Sequence, residues 1–148
     1  MSKEVFKCSP HASLEEAARQ LWEHDVGCLV VVDSDDRPVG MITDRDILIA
    51  AYTRGITLGQ ADVSSAMANK VLSCSLGASQ GDIEETMRDA KIRRMPVVDE
   101  AGKVAGIVTV SDLARSSQSG PLRAAGIPGV VKTLAAICEP RAVPAAAE

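Results

Sequence analysis

Gly40-Met41-Ile42-Thr43-Asp44-Arg45-Asp46 and Gly106-Ile107-Val108-Thr109-Val110-Ser111-Asp112 repeat one pattern: a glycine, two apolar residues, then Thr-x-x-Asp. The copies stand 66 places apart, and the same offset aligns the chain with itself on both sides of them. Val5 and Cys8-Ser9 fall on Val71 and Cys74-Ser75, Ala12-Ser13 on Ala78-Ser79, and Val31-Val32-Asp33 on Val97-Val98-Asp99. From residue 5 to residue 47, 11 of 43 aligned positions are identical, where chance at ordinary composition gives roughly two or three. Leu21 with Met87 and Ile47 with Leu113 add similar pairs. The chain is an internal duplication, and a period of this size defines a structural unit used twice.

Each copy carries the same element order. An opening strand is predicted at Val5–Cys8 and at Val71–Cys74. Ser13 followed by Glu16 predicts a capping box, with Leu14, Ala17, Ala18, Leu21 and Trp22 forming an apolar helical stripe behind it. Ser79 and Asp82 open the second copy's helix, where Ile83, Met87 and Ala90 carry the stripe. The apolar runs Cys28–Val32 and Met95–Val98 read as strands covered on both faces. Asp33-Ser34-Asp35-Asp36 and Asp99-Glu100-Ala101-Gly102 read as turns. Strands at Val39–Ile42 and Val104–Val108 follow, each ending at a threonine placed to cap a last helix. The fold class is therefore α/β (α+β): two β-α-β-β-α repeats. Neither half is large enough to be stable alone, so the two sheets are expected to pack together about a pseudo-two-fold axis. Residues 1–65 form the first repeat and 66–116 the second. Residues 117–148 are a linker and a docking tail.

Composition narrows the function. Hydrophobic residues make up 46% of the 148, but aromatics only 2%, one each of Trp, Tyr and Phe. The core must be aliphatic, and stacking platforms for single-stranded nucleic acid are excluded. A net charge of −4 and a pI near 5.2 leave no basic stripe, so no nucleic-acid partner is expected. No apolar run reaches the roughly 20 residues of a membrane span, and Met1-Ser2-Lys3-Glu4-Val5 is no signal region. A cytoplasmic location is expected. With two histidines and no nucleophile–base pair or ligand cluster, the chain is not expected to be an enzyme.

The paired segments carry a family resemblance: Val26–Asp33 with Gly40–Asp46, and Arg93–Asp99 with Gly106–Asp112. Over about residues 1–116 each copy resembles a CBS domain, and the pair resembles a Bateman module of the stand-alone bacterial type. The resemblance implies a regulatory module that senses an adenine nucleotide in clefts between the repeats. The implied ligands are AMP, ADP, ATP or S-adenosylmethionine, and no cofactor is required. It also implies a homodimer and a separate effector protein that the sequence does not name. By the same resemblance, Thr43 with Asp46 and Thr109 with Asp112 are ribose-binding positions. Chemistry agrees, since a carboxylate accepts from both hydroxyls of a diol and a threonine hydroxyl both donates and accepts. The same pattern is also a helix cap that needs no ligand, and the two roles are compatible. Arg93, Arg94 and Arg45 are phosphate candidates; the first-copy counterparts of Arg93 and Arg94 are the uncharged Gly27 and Cys28. Adenine would meet the opening strands, around Val5, Cys8 and Val71, with Met95 and Pro96 against the ring; these residues read equally as core.

The tail is read as a linker at Ser116–Pro121, a break at Gly126-Ile127-Pro128-Gly129, and a short docking helix at Val130–Cys138. Val130, Val131, Leu134 and Ile137 form that helix's apolar side, and Ala142–Glu148 is expected to fray. Four cysteines, Cys8, Cys28, Cys74 and Cys138, make no C-x-x-C pair and read as reduced thiols. A second reading is a structural or redox-responsive interaction module without nucleotide. It would use a Cys8–Cys138 disulfide or a metal held by Cys8, His11 or Cys138.

Overall fold

The computed structural model describes residues 4–118 and 123–139, and the chain divides into two compact units. The first is Met1–Gly77 with Met95–Val108; the second is Ala78–Arg94 with Thr109–Glu148. The division cuts across the second repeat, whose strands cluster with the first repeat and whose helices cluster with the tail.

In the first unit, Ser13 caps α1 (Leu14–Glu23) by accepting the Glu16 N–H at 3.1 Å. Only this hydroxyl half of the expected capping box forms. Leu14, Ala17 and Leu21 are buried. Trp22 is 87% exposed, which corrects its place in the predicted stripe. At 100° per residue it stands about 80° around the helix from Leu14, past the edge of the buried face. Strands β1 (Lys7–Cys8), β2 (Leu29–Val32) and β3 (Pro38–Ile42) form one sheet in that order, β1 parallel and β3 antiparallel to β2. Cys8, Leu29, Val31 and Ile42 pack against α1 and against Ile47 and Ala50 of α2 (Asp44–Arg54) in a single aliphatic core. Gly55 ends α2 in the left-handed region at φ 61°, a conformation glycine adopts without cost. Beyond it, Ala68 exchanges two backbone hydrogen bonds with Met41, of 2.9 and 3.1 Å. The chain between the repeats thus covers the edge of β3. Gly40 leaves room there for Met67, whose Sδ would lie 2.5 Å from a Cβ at that position and would have to shift.

Strands β4 (Cys74–Ser75), β5 (Arg94–Val98) and β6 (Val104–Thr109) form a second sheet in that order. Cys74 stands opposite Val97 as Cys8 stands opposite Val31, so the duplication holds to the register. The opening strands are shorter than predicted, and Val5 and Val71 precede the paired residues. Both turns recur atom for atom. Asp33 Oδ1 accepts the N–H groups of Asp35 and Arg37, and Asp99 Oδ1 those of Ala101 and Lys103, all at 2.9 Å. Asp36 and Gly102 occupy the same left-handed position, φ 64° and 79°. Asp36 holds it through long-range contacts. Its carbonyl accepts the Val104 N–H at 3.0 Å, and its carboxylate takes Lys7 Nζ at 2.7 and 2.9 Å. Lys7 also donates to the Val104 carbonyl at 3.4 Å, so one turn of the first repeat anchors the first residue of β6.

The second unit contains α3 (Gln80–Asp89), α4 (Val110–Gln118) and α5 (Arg123–Cys138). Ser79 caps α3 through the Asp82 N–H at 3.2 Å. Glu84 is buried with Met87. Its carboxylate accepts from Gln80 Nε2 at 2.7 Å, and Thr133 Oγ1 of α5 donates to its carbonyl at 3.5 Å. The tail departs from expectation at three points. α4 continues to Gln118, into the predicted linker. α5 runs through Gly126–Gly129, with Pro128 inside the helix. Its buried side is Val130, Thr133 and Ile137, while Val131 and Leu134 face outward. Packing on α3 and α4 outweighs the single hydrogen bond that Pro128 removes. Thr133 enters the stripe because its hydroxyl finds the Glu84 carbonyl. Ala142–Glu148 lie outside the described residues. No described helix is long and apolar enough to cross a membrane.

The Asp36 anchor predicts unequal substitutions. Asp36→Gly loses the Lys7 pair, worth about 0.2–1 kcal/mol at partial exposure, but removes the left-handed strain. Asp36→Ala loses the pair and keeps the strain, about 1–2 kcal/mol. Urea unfolding should rank the stabilities Gly above Ala by about 1 kcal/mol.

Candidate ligand-binding site

The threonine ending each third strand is extended, so its side chain turns back over the first turn of the following helix. In the first repeat Thr43 N–H and Oγ1 donate to Asp46 Oδ2 at 3.0 and 2.6 Å, and Asp46 N–H returns to Thr43 Oγ1 at 3.3 Å. In the second repeat Thr109 N–H and Oγ1 donate to Asp112 Oδ2 at 2.9 and 2.8 Å, with Asp112 N–H to Thr109 Oγ1 at 3.2 Å. Both capping boxes are complete, unlike those of α1 and α3. Each fixes a carboxylate at a helix N-terminus, where unpaired amides and the helix dipole favour negative charge. The cap reading of the two motifs is thus realised. It occupies one carboxylate oxygen of each and leaves the other for a second partner.

The two second oxygens differ. Among the described residues Asp46 Oδ1 accepts no hydrogen bond, whereas Asp112 Oδ1 takes Arg115 Nη2 at 2.7 Å. Burial pushes the Asp112 carboxyl up. Its hydrogen bonds from Thr109 Oγ1, Arg115 and Thr109 N–H together outweigh that and bring it below the usual aspartate value.

Arg45 lies exposed on the first turn of α2, and its side chain makes no hydrogen bond among the described residues. The Arg93 and Arg94 side chains likewise make no hydrogen bond or ion pair among the described residues. The Arg93 carbonyl accepts the Val110 N–H at 3.0 Å, which ties the start of α4 to the end of the loop before β5. Three guanidinium groups therefore remain available to an anion. Other predicted contacts are interior. Met95 and Pro96 are fully buried and Cys8 belongs to the aliphatic core, while Val5 and Val71 are half-buried. Of the opening strands only backbone is offered: β1 and β4 each lie at a sheet edge, with one side of the strand unpaired in the sheet.

None of the four cysteines forms a disulfide; Cys8 is buried and Cys138 exposed. The Cys8–Cys138 disulfide is not formed in this structure. Burial, with a contribution from Glu16, pushes the Cys8 thiol up to about 11, which holds it protonated and poorly nucleophilic at neutral pH. No cluster of three His, Cys, Asp or Glu side chains suited to a metal occurs among the described residues.

A feature that sequence reasoning missed lies elsewhere in the first unit. An apolar groove of about 370 Å³ runs between α1 and α2, lined by Leu21, Trp22, Val26, Ile47, Leu48 and Leu58 among others. Trp22 and Tyr52 are each 87% exposed, and Leu48 and Ile49 are exposed beside them. Trp22 on α1 and Tyr52 on α2 are two of the three aromatic residues of the chain, and neither is buried.

Comparison with known proteins gives the family. The CBS domain family matches residues 1–52 and 62–119, and the chain belongs to it. Hypoxic response protein 1 of Mycobacterium tuberculosis is 34% identical over 143 residues, covering 97% of this chain and 94% of its own. The match spans only 66% and 57% of the length of two further relatives. Among solved structures, the CBS domain pair of MJ0100, in complex with 5′-methylthioadenosine and S-adenosylmethionine, superposes with a TM-score of 0.69 at 28% identity, over 78% of this chain and 90% of that one. The structure of Hypoxic Response Protein I with two coordinated zinc ions superposes with a TM-score of 0.70 at 34% identity, over 78% and 94%. The fold is that of a CBS pair.

As caps, both aspartates should carry stability. Asp46→Ala and Asp112→Ala are each expected to cost about 1 kcal/mol. Because the folded Asp112 carboxyl lies below its unfolded value of about 3.9, its share is present above that pH. It is lost as pH falls through the folded value. Urea unfolding of Asp112→Ala against the parent chain should show the difference at pH 7 and its disappearance in acid.

Proposed function

We propose that the chain is a regulatory module that binds an adenosine-containing ligand, AMP, ADP, ATP or S-adenosylmethionine, through the two Thr-x-x-Asp boxes. One observation carries the reading: a carboxylate fixed at a helix N-terminus by its own cap, with Asp46 Oδ1 unengaged and the Arg45 side chain unpaired on the same turn among the described residues. A ribose hydroxyl donates to the free oxygen as a charge-assisted bond, and the arginine receives a phosphate or carboxylate. Arg93 and Arg94 serve the second box in the same way. The ligands in the MJ0100 structure, both adenosine derivatives, support the choice of nucleoside. The high value of the Cys8 thiol weighs against the redox-responsive alternative.

Calorimetry with AMP, ATP and S-adenosylmethionine tests the assignment. At least one should bind more tightly than about 1 mM, and Asp46→Ala should remove a site. Absence of binding by all three refutes it.

The groove between α1 and α2 is proposed as the face for a second copy of the chain. Its exposed Trp22 and Leu48, with Ile49 and Tyr52 exposed elsewhere on α2, are the kind of apolar surface that marks an interaction face, and an isologous contact pairs such a face with itself. Analytical ultracentrifugation should find a dimer for the parent chain and a monomer for Trp22→Glu combined with Leu48→Glu.

A further inference from the structure

The two boxes share every backbone and threonine contact, yet they differ at the one atom a ligand hydroxyl needs. Asp112 Oδ1 is held by Arg115 Nη2 at 2.7 Å, and the Asp112 side chain keeps only 9% of its exposure while Arg115 stays 71% exposed. At the equivalent place, three residues after Asp46, stands Ile49, which cannot donate. We infer that Arg115 is an internal competitor for the second site: it occupies the carboxylate oxygen a ribose hydroxyl would take, so the Asp46 site fills first and the Asp112 site only at higher ligand concentration. This rests on the adenosine-binding reading above and adds to it an order of occupancy.

The geometry makes Arg115 a gate and not a fixed wall. Its side chain is mostly exposed and reaches Asp112 as an i, i+3 pair on one helix. Pairs of that kind are weak enough to break on binding. Displacing it should weaken the second site about fivefold, equal to about 1 kcal/mol. The graded difference lets one module respond over a wider concentration range than two equal sites. It also explains how a duplicated motif diverges while both caps persist: the change at position 115 leaves the Thr109 bonds untouched.

The test uses 5′-methylthioadenosine, which carries no charge that Arg115 could attract, and reads affinity by calorimetry on the full chain. In an Asp46→Ala background, where only the second box remains, adding Arg115→Ala should tighten binding about fivefold. The reciprocal exchange, Ile49→Arg in an Asp112→Ala background, should weaken the first box by a similar factor. Arg115→Ala alone should bring the two sites of the parent chain toward equal affinity, a measurement that does not depend on either aspartate variant folding. Unchanged or weaker binding on removing Arg115 overturns the gate and makes the arginine a bystander or a ligand contact. If the parent chain itself binds none of 5′-methylthioadenosine, AMP, ATP and S-adenosylmethionine, the adenosine reading fails and the gate falls with it.

Discussion

A single left-handed turn residue joins the two repeats in the first unit. Asp36 offers its carbonyl to Val104 and its carboxylate to Lys7, and Lys7 reaches the Val104 carbonyl in turn. The first residue of β6 is thus held by the first repeat's turn. In the second copy the equivalent position is Gly102, which needs no such partners because glycine holds a positive φ freely. The first copy carries an aspartate there at a conformational cost, and the cost is offset by contacts that only a partner strand and a lysine on β1 supply. The duplicated turn is thus a plain turn in one copy and an anchor in the other.

The same logic governs the site. Complete capping boxes at α2 and α4 align two carboxylates before any ligand arrives, so binding need not first order them. The four side chains that cap these helices, Thr43, Asp46, Thr109 and Asp112, are also the ones proposed for recognition. A cap uses one carboxylate oxygen, so the two readings of Thr-x-x-Asp are compatible in one arrangement. The copies then diverge at positions outside the box. Arg45 stands where the second copy has Ser111, and Arg115 where the first has Ile49.

Features that depend on residues three or four apart were legible in the sequence. The caps at Ser13, Thr43, Ser79 and Thr109, the Asp33 and Asp99 turns, and the element order all follow from local hydrogen-bonding chemistry and recur at one offset. A duplication doubles each such signal, so the repeat and the candidate carboxylates could be read without a neighbour in space. Features that depend on which distant surface covers a side chain were not. Trp22 and Leu134 are apolar but exposed, and Thr133 and Glu84 are polar but buried. Whether Pro128 breaks a helix depends on α3 and α4 being there to hold the turn.

The chain's own order of residues therefore settled the family, the duplicated β-α-β-β-α plan and the two aspartates, because each is written in short-range spacing. Folding in space settled the rest. It drew the second repeat's strands to the first unit and its helices to α5. It buried Met95 and Pro96. Burial and pairing are properties of the surfaces that meet, and residues far apart in sequence choose those surfaces.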